Sequence, residues 1–385
     1  MTIHKKIYMA TTGPDGHIKL IISPNKHSNT LFFVDEASMI PDATQANDFS
    51  MFSRNNLLED LIDYTFEGKN NKLILIGDVA QLPPVGLEVS PALDAEFLQR
   101  NYQLSLKSYE LQEVVRQSLE SGILTNATSI RLNLDYNGML PFVQTNDFSD
   151  VFLINGEILE ETLMTTFHGD DLSNSVIITR SNKRANIFNQ EVRKRILFME
   201  NEISVGDYLM IVKNNYFWID KKSNAGFLAN GDMIEILRIG RMQEIYGRRF
   251  IEAGIRLIDY PEENDLTVNL MLDTLTLDGP SLSEKENQQF FEELLRDYEH
   301  VPSRRKRIEQ VKNNPYFNAL QVKFSYSLTC HKTQGGQWEN VFIDLGYINE
   351  EHLNTSFYRW LYTAFTRATK NLYLINFPEG FIKKT

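Results

Sequence analysis

The chain lacks most features of secreted, membrane or nucleic-acid-coating proteins. Its 385 residues include one cysteine, Cys330, which excludes an internal disulfide and any disulfide-stapled scaffold. No window approaches the roughly 18 consecutive apolar residues of a membrane helix, and residues 1–13 have no apolar signal-peptide stretch. The net charge of −12 argues against bulk attraction to nucleic acid, which needs an excess of Lys and Arg. We therefore expect a cytoplasmic protein without a membrane partner.

The composition is that of a folded protein with more than one domain. Hydrophobic residues make up 42% of the chain and charged residues 23%, and 24 Phe and 16 Tyr are far too many for a disordered polypeptide. A length of 385 residues favours two or three domains. Basic residues cluster only locally, at 180–184, 193–195, 248–249 and 304–307, and each cluster alone is more typical of a solvated face.

Short apolar runs alternate with helical patterns at both ends of the chain. Residues 31–34 (LFFV) and 73–76 (LILI) are typical of buried parallel strands, and residues 55–66 between them have helical spacing. The same alternation recurs further along. It predicts strands at 176–179, 341–345 and 372–376, and helices at 183–198 and 356–366. This order of strands and helices predicts an α/β fold.

The middle of the chain has a different pattern. Between residues 201 and 322, short alternating strands such as 208–212 and 233–239 are separated by Asn, Gly and Asp turns. Residues 281–312 are highly charged and are predicted to be helical. We expect a small β-rich insertion that carries an exposed helical excursion.

Two acidic residues follow the first apolar run. In the sequence FFVDEAS, a strand delivers Asp35 and Glu36 to its carboxyl end, the edge at which open α/β sheets bind ligands. Such a pair suits a nucleotide site, where one acid holds Mg²⁺ and the next activates the attacking water. An ordinary strand end is an equally good interpretation of the pair alone.

The second strand is followed by the sequence IGDVAQLPPV, residues 76–85. Asp78 comes at the strand end, and the consecutive prolines predict a rigid, extended loop because proline fixes φ. Such a loop could carry Gln81 as a sensor of the γ-phosphate. Taken alone, a plain turn after a core strand is the simpler interpretation.

Two more segments lie near the end of the chain. Residues 329–337 (TCHKTQGGQ) offer side-chain donors beside two glycines, which let backbone approach a phosphate closely. Residues 362–368 (YTAFTRA) place Arg367 in an otherwise apolar, helix-like segment. A buried arginine needs an anionic partner, and both a triphosphate and a structural carboxylate remain open.

The order and spacing of these four segments resemble the motifs of superfamily 1 DNA helicases, in particular the RecD-like and phage Dda-like branch that moves 5′ to 3′. The resemblance covers nearly the whole chain. It implies two RecA-like parallel-sheet domains of the P-loop NTPase type, the first incomplete, with a small β-barrel-like insertion in the second. The implied bounds are 1–108 for the first domain, 109–200 with 320–385 for the second, and 201–319 for the insertion.

The resemblance also implies site residues, with ATP and Mg²⁺ as cofactors. Asp35 corresponds to the Mg²⁺ ligand and Glu36 to the catalytic base. The implied catalytic residues are Asp35, Glu36, Gln81, Arg116 and Arg367. The implied nucleotide contacts are Asp78, Gly335, Tyr362 and Thr366. The implied nucleic-acid contacts are Thr2, His4, Thr329, His331, Lys332 and Gln334. Arg116 could equally be a surface helix residue, and 206–207 and 230–232, which resemble barrel landmarks, could equally be turns.

The resemblance implies an ATP-dependent DNA helicase, stimulated by single-stranded DNA, in repair, recombination or replication. Its partners would be single-stranded DNA or a single/double-strand junction, and proteins of a repair or recombination complex. The family's phosphate-binding loop, which ends Gly-Lys-Thr or Gly-Lys-Ser, is absent, since the only Gly-Lys pair is Gly68–Lys69. By family order the loop belongs ahead of Thr2. We therefore expect an incomplete first domain with an exposed sheet edge, and little or no ATP hydrolysis.

Two other functions remain open. The chain could be a non-catalytic nucleic-acid-binding or assembly subunit derived from a helicase, although the retained Asp35, Glu36, Arg116 and Arg367 argue against long loss of hydrolysis. It could also be an unrelated nucleotide-binding switch or metabolic ATPase. Such a protein has no need of the segments 329–335 and 362–368.

Overall fold

The structure is a computed structural model that describes residues 2–12, 18–42, 56–111, 121–134, 142–167, 172–220, 223 and 225–383. The chain forms two compact units. The first is Met1–Gln144 with Asn349–Thr366, and the second is Thr145–Ile348 with Arg367–Thr385. The first unit thus extends beyond residue 108 and takes in a late segment, so its limits differ from those of the domains predicted above.

The described residues contain both helices and strands throughout the chain. In order they are α1 (Ile3–Ile7), β1 (Tyr8–Thr12), β2 (Ile18–Ile22), β3 (Leu31–Val34), α2 (Leu57–Glu67), β4 (Lys72–Leu75), α3 (Ala95–Tyr102), α4 (Gly122–Leu132), β5 (Val151–Ile154), α5 (Gly156–Thr166), β6 (Ser175–Thr179), α6 (Asn182–Glu191), β7 (Tyr208–Ile211), β8 (Met233–Ile245), β9 (Arg248–Leu257), β10 (Leu266–Met271), α7 (Glu284–Asp297), α8 (Arg304–Lys312), β11 (Leu320–Phe324), β12 (Ser327–Thr329), β13 (Trp338–Asp344), α9 (Thr355–Phe365) and β14 (Ala368–Ile375). None of the described helices is long and apolar enough to cross a membrane.

In the first unit, β3 and β4 pair in parallel, as the apolar runs predict. Asn56 begins α2 by accepting a hydrogen bond from the Glu59 amide at 3.3 Å, and the helix buries Leu58 and Leu61 in the same core as Val34. The opposite face of the strands is open, with the Phe33 side chain 64% exposed. The pair β3–β4 is therefore covered on one face.

The second unit is built on a five-stranded sheet in the order β12-β6-β13-β14-β5. Every neighbouring pair in it is parallel, so the prediction of a parallel-sheet α/β domain is confirmed. All residues of β6 are buried, as expected for a strand whose apolar centre, residues 176–178, is covered on both faces. α6 packs on β6 and β12.

The predicted β-rich insertion is a closed barrel in the order β10-β11-β7-β8-β9. It closes through β11, which pairs in parallel with β10 and antiparallel with β7. β11 begins at Leu320, one residue past the predicted end of the insertion at 319. The barrel therefore extends beyond that limit, since β11 is one of the strands that close it. The core runs without a break from the barrel into the parallel sheet, since Leu209 and Phe342 belong to the same buried cluster.

A buried ion pair anchors the base of the barrel. Asp207 is fully buried, and its carboxylate accepts from Arg193 Nε at 2.8 Å and Nη2 at 2.9 Å. The same carboxylate accepts from the Tyr326 hydroxyl at 3.0 Å and from the Ser204 amide at 2.7 Å. Gly206, with φ of 84°, makes the turn that presents Asp207. These contacts show that Gly206 and Asp207 form more than a surface turn.

The charged excursion is helical, as predicted, and it packs on the barrel. α7 begins with a capping box between Ser283 and Glu286. Its Phe290 ring stacks on Phe250 of β9 with centroids 6.0 Å apart. Most charged residues of α7 are exposed, whereas Phe290 and Phe291 are buried and extend the barrel core.

Candidate nucleotide and nucleic-acid sites

The two acidic motifs of the first unit lie side by side at the carboxyl ends of β3 and β4. The Ile76 amide donates to the Val34 carbonyl at 2.8 Å, and the Ala37 amide donates to the Ile76 carbonyl at 2.8 Å. Gly77 permits this approach, because an added Cβ would lie 2.9 Å from the Ser38 nitrogen. The segments that follow the two strands are thus joined by backbone hydrogen bonds.

Asp35 and Glu36 lie at this edge between β3 and the 3₁₀ turn Ala37–Met39. Asp35 is exposed and its Oδ1 accepts from the Glu36 amide at 2.9 Å, while Glu36 has a left-handed φ of 52°. No group of three or more His, Cys, Asp and Glu side chains suited to a metal occurs in the described part of the chain. A magnesium ion here would have Asp35 and otherwise oxygens from phosphate and water.

Asp78 is the centre of a hydrogen-bonded cluster in the first unit. Its Oδ1 accepts from the Ala80 amide at 3.0 Å and from Arg131 Nη1 at 2.7 Å. Its Oδ2 accepts from the Tyr362 hydroxyl at 2.6 Å. Burial and the nearby Asp78 carboxylate raise the pKa of the Tyr362 phenol to about 12, so the phenol stays protonated and donates. We call Asp78, Arg131 and Tyr362 the Asp78 clamp.

The loop after Asp78 is tied to α9 a second time. The Leu82 amide donates to Thr363 Oγ1 at 2.9 Å, and Leu82, Pro83 and Pro84 are buried. The amide oxygen of Gln81 is buried and accepts no hydrogen bond from any residue that the structure describes. A buried acceptor of this kind is costly unless a ligand or water supplies a donor. The loop is therefore more than a plain turn.

Residues 329–335 in the second unit begin at Thr329, the last residue of β12, and continue into the loop that follows this strand. Cys330–Thr333 form a 3₁₀ turn, and Gly335 has φ of 79° with open space beside it. Lys332 Nζ donates to Asn230 Oδ1 at 2.5 Å, which joins this loop to the barrel turn at Gly231. Burial lowers the pKa of His331 from its ordinary value, so its ring is neutral at pH 7. Thr329, His331, Lys332 and Gln334 lie together in one loop.

Arg367 lies two residues past the end of α9, and the helix predicted at 356–366 agrees with α9 to within one residue at each end. The helix ends at Phe365, because Thr366 and Arg367 turn the chain into β14. Arg367 is 3% exposed, and its Nη1 donates to the Gly336 carbonyl at 3.1 Å. Thr366 Oγ1 donates to the Thr363 carbonyl at 2.9 Å. Arg367 therefore contacts the backbone of the loop that follows residues 329–335.

The other residues that the sequence singles out add little to the description of the candidate sites. Thr2 Oγ1 accepts from the Lys5 amide at 3.3 Å and so caps α1, and the His4 ring lies 5.4 Å from the Tyr8 ring. Arg116 lies outside the described residues. Gly68 ends α2 beside Asn71, where an added Cβ would come within 2.2 Å of Nδ2, so the Gly68–Lys69 pair belongs to a helix end.

Sequence reasoning missed Arg131. It is the basic residue in the last turn of α4, and its guanidinium binds a carboxylate 53 residues earlier in the chain. A lone arginine at a helix end is ordinarily a surface residue that favours the helix dipole. Only the packing of α4 against α9 brings it to Asp78.

One segment near the end of the chain matches a known protein family. Residues 324–375 match the UvrD-like helicase C-terminal domain family. The predicted resemblance to a helicase is confirmed for this segment. The matched segment holds the loop 329–335, Tyr362, Thr366 and Arg367, which are among the residues that the motifs single out.

Three known proteins show similarity that extends over most of this chain. An uncharacterized protein of Acanthamoeba polyphaga mimivirus is 24% identical over 347 residues, covering 78% of this chain and 68% of its own. Pif1 helicase from Candida albicans is 14% identical, with a TM-score of 0.46, and covers 92% of this chain and 73% of its own. Bacteroides Pif1 bound to single-stranded DNA is 12% identical, with a TM-score of 0.48, and covers 100% of this chain and 81% of its own.

Proposed function

We propose that the chain is the motor part of an ATP-dependent DNA helicase, whose ATP hydrolysis is stimulated by single-stranded DNA. The observation that carries this proposal is the helicase-family match over 324–375. Within it, the polar segment 329–335 begins at the carboxyl end of the parallel strand β12, the edge of a sheet at which ligands bind. The RecD-like or Dda-like branch, a role in DNA repair and a cytoplasmic location are parts of the same proposal.

Asp35, Glu36 and Gln81 of the first unit would suit the phosphate end of a nucleotide. Asp35 would hold Mg²⁺ through its exposed carboxylate, and Glu36 would accept a proton from the attacking water. Gln81, whose buried amide oxygen accepts no hydrogen bond from the described part of the chain, would sense the γ-phosphate. Arg116 and Arg367 would stabilise negative charge. The chain has no Gly-Lys-Thr or Gly-Lys-Ser to cradle the β-phosphate, so we propose that it hydrolyses little ATP as it stands.

Single-stranded DNA, or a junction of single and double strands, is the proposed nucleic-acid partner. Lys332 supplies a cation for a phosphate, and the neutral His331 and the Thr329 hydroxyl supply hydrogen bonds. The φ of 79° at Gly335 leaves its backbone open to a close approach. A contact of this local kind suits a chain with a net charge of −12.

The proposal is tested by phosphate release with and without a single-stranded oligonucleotide. The chain would be measured beside a version that carries a Gly-Lys-Thr phosphate-binding segment ahead of Thr2. We expect DNA-stimulated hydrolysis only in the second protein, and its loss in that protein on Glu36→Gln. Hydrolysis by the chain alone at the rate of the extended version would contradict the proposed low activity.

One observation favours a second candidate function. Because the chain carries no phosphate-binding loop of its own, a non-catalytic DNA-binding subunit would look the same. In that case neither protein would hydrolyse ATP, while the chain would still bind the oligonucleotide. Failure of both proteins to bind DNA would remove both functions.

A further inference from the structure

The Asp78 clamp brings three separate parts of the first unit to one carboxylate. Asp78 follows β4, Arg131 lies at the end of α4, and Tyr362 lies in α9. Both carboxylate oxygens are in use, Oδ1 towards Arg131 at 2.7 Å and Oδ2 towards Tyr362 at 2.6 Å. Arg131 Nη1 also lies 3.4 Å from the Tyr362 hydroxyl. The three side chains therefore form a closed set of contacts.

We propose that Arg131 is a positioning residue that fixes the Gln81 loop to α9. The inference rests on the proposed function, because it assigns Arg131 a role through Gln81 and not a contact with substrate. Hydrogen bonds hold the chain on both sides of Gln81. Asp78 is bound by Arg131 and Tyr362, and the Leu82 amide is bound by Thr363.

The hydrogen bonds to Asp78 and to the Leu82 amide involve consecutive residues of α9. Tyr362 and Thr363 lie in the last turn of α9, just ahead of Thr366 and Arg367. A shift of that turn would therefore move both ends of the Gln81 loop together. The clamp thus couples the position of the buried Gln81 amide to the end of the helix that leads into Arg367.

Arg131 suits this task better than a purely hydrophobic contact would. Its side chain is 33% exposed and that of Asp78 is 23% exposed, so the pair can open without unpacking a core. Its guanidinium also lies 3.5 Å from Glu110, which gives the arginine an alternative partner. A charge-assisted hydrogen bond of this length is both directional and strong enough to hold a loop.

Hydrogen exchange followed by mass spectrometry tests the clamp without any need for catalysis. We expect Arg131→Ala to raise the exchange of peptides 78–85 and 355–366 by about 10-fold or more, as loss of a charged hydrogen bond predicts. Tyr362→Phe should act on the same peptides, and Arg131→Lys should restore part of the protection. Arg100→Ala, which breaks an exposed pair with Glu96 at 3.0 Å in the same unit, is the matched control and should change neither peptide.

Two results would overturn the proposal. One is unchanged exchange of 78–85 in Arg131→Ala. The other is a uniform rise throughout the first unit with no rescue by lysine, since that would mean a merely structural role.

A second measurement separates the clamp from the proposed function. In the version with a phosphate-binding segment, Arg131→Ala should lower the DNA-stimulated kcat by about 10-fold and leave the KM for the oligonucleotide unchanged. An unchanged kcat would contradict the positioning role. If the unsubstituted protein shows neither DNA binding nor stimulation, the proposed function fails, while the exchange data still decide whether the clamp holds the loop.

Discussion

The two parallel sheets of this chain bury their strands to different extents. In the second unit, β13 places Phe342 at 0% exposure among five strands, whereas in the first unit Phe33 of β3 is 64% exposed. The loop 329–335 is therefore held by a core covered on both faces. Asp35 and Asp78 are held by the pairing of two strand ends, by α2 and by the Asp78 clamp. The candidate site residues are thus positioned mainly by core packing in the second unit and mainly by a few polar contacts in the first unit.

The ion pairs of the two units differ in the same way. Arg193 and Asp207 in the second unit have side chains 3% and 0% exposed, whereas Arg131 and Asp78 in the first unit are 33% and 23% exposed. A fully buried pair is costly to break because the remaining charge has no water, while a partly exposed charge can be rehydrated. The buried pair Arg193–Asp207 therefore stabilises the fold, whereas the partly exposed pair Arg131–Asp78 can open and close.

The largest expected effect is on the buried sheet. Phe342→Ala should lower the free energy of unfolding of the second unit by about 3–5 kcal/mol, because the ring leaves a cavity among packed neighbours. Urea denaturation followed by circular dichroism measures this loss. A change under about 1 kcal/mol would contradict the view that this sheet is a fully packed core.

Asp207→Asn should have the next largest effect, a loss of about 3 kcal/mol, because Arg193 would stay buried without its counter-charge. The same denaturation experiment applies. Glu96→Ala, which removes the exposed partner of Arg100, is the control and should change stability by less than about 0.5 kcal/mol. Equal effects of the two substitutions would remove the distinction between the buried and exposed pairs.

Lys213 gives a pH-dependent test within the barrel unit. Burial lowers its pKa from 10.5 to about 8, and its Nζ donates to Asn287 Oδ1 at 3.1 Å. Between these pH values the unfolded chain binds the proton and the folded chain has lost it, so the stability rises as the pH increases from 8 to 10.5. Relative to Lys213→Met, the protein should gain about 1–3 kcal/mol over this range. A flat difference between the two proteins would contradict the burial of the amine.

The smallest expected effect is on the open face of the first sheet. Phe33→Ser should change the free energy of unfolding by no more than about 0.5 kcal/mol, because its ring is already in water. Thermal denaturation of this variant beside Phe342→Ala makes the comparison direct. A loss as large as that of Phe342→Ala would show that the face of β3 is covered.

Local sequence patterns predicted many of the strands and helices, but they could not predict contacts between residues far apart in the chain. The short apolar runs at β3, β4 and β6 predicted the strands themselves, but only β6 is buried along its whole length. The apolar pattern predicted α9 to within one residue at each end, but it did not show that Thr366 and Arg367 turn the chain into β14. Arg131 was missed because its partners lie 53 and 231 residues away. The roles of the site residues remain predictions.

The most direct test of the helicase-like account is the salt dependence of single-stranded DNA binding. Anisotropy of a labelled oligonucleotide would be titrated with the chain, with Lys332→Ala and with the control Lys370→Ala, whose lysine pairs with Glu339 at 2.7 Å elsewhere in the same unit. We expect the chain to bind, and Lys332→Ala to weaken binding and flatten the slope of log K against log salt by about 0.7, the value for one phosphate contact. No binding by the chain, or equal slopes for all three proteins, would contradict the account.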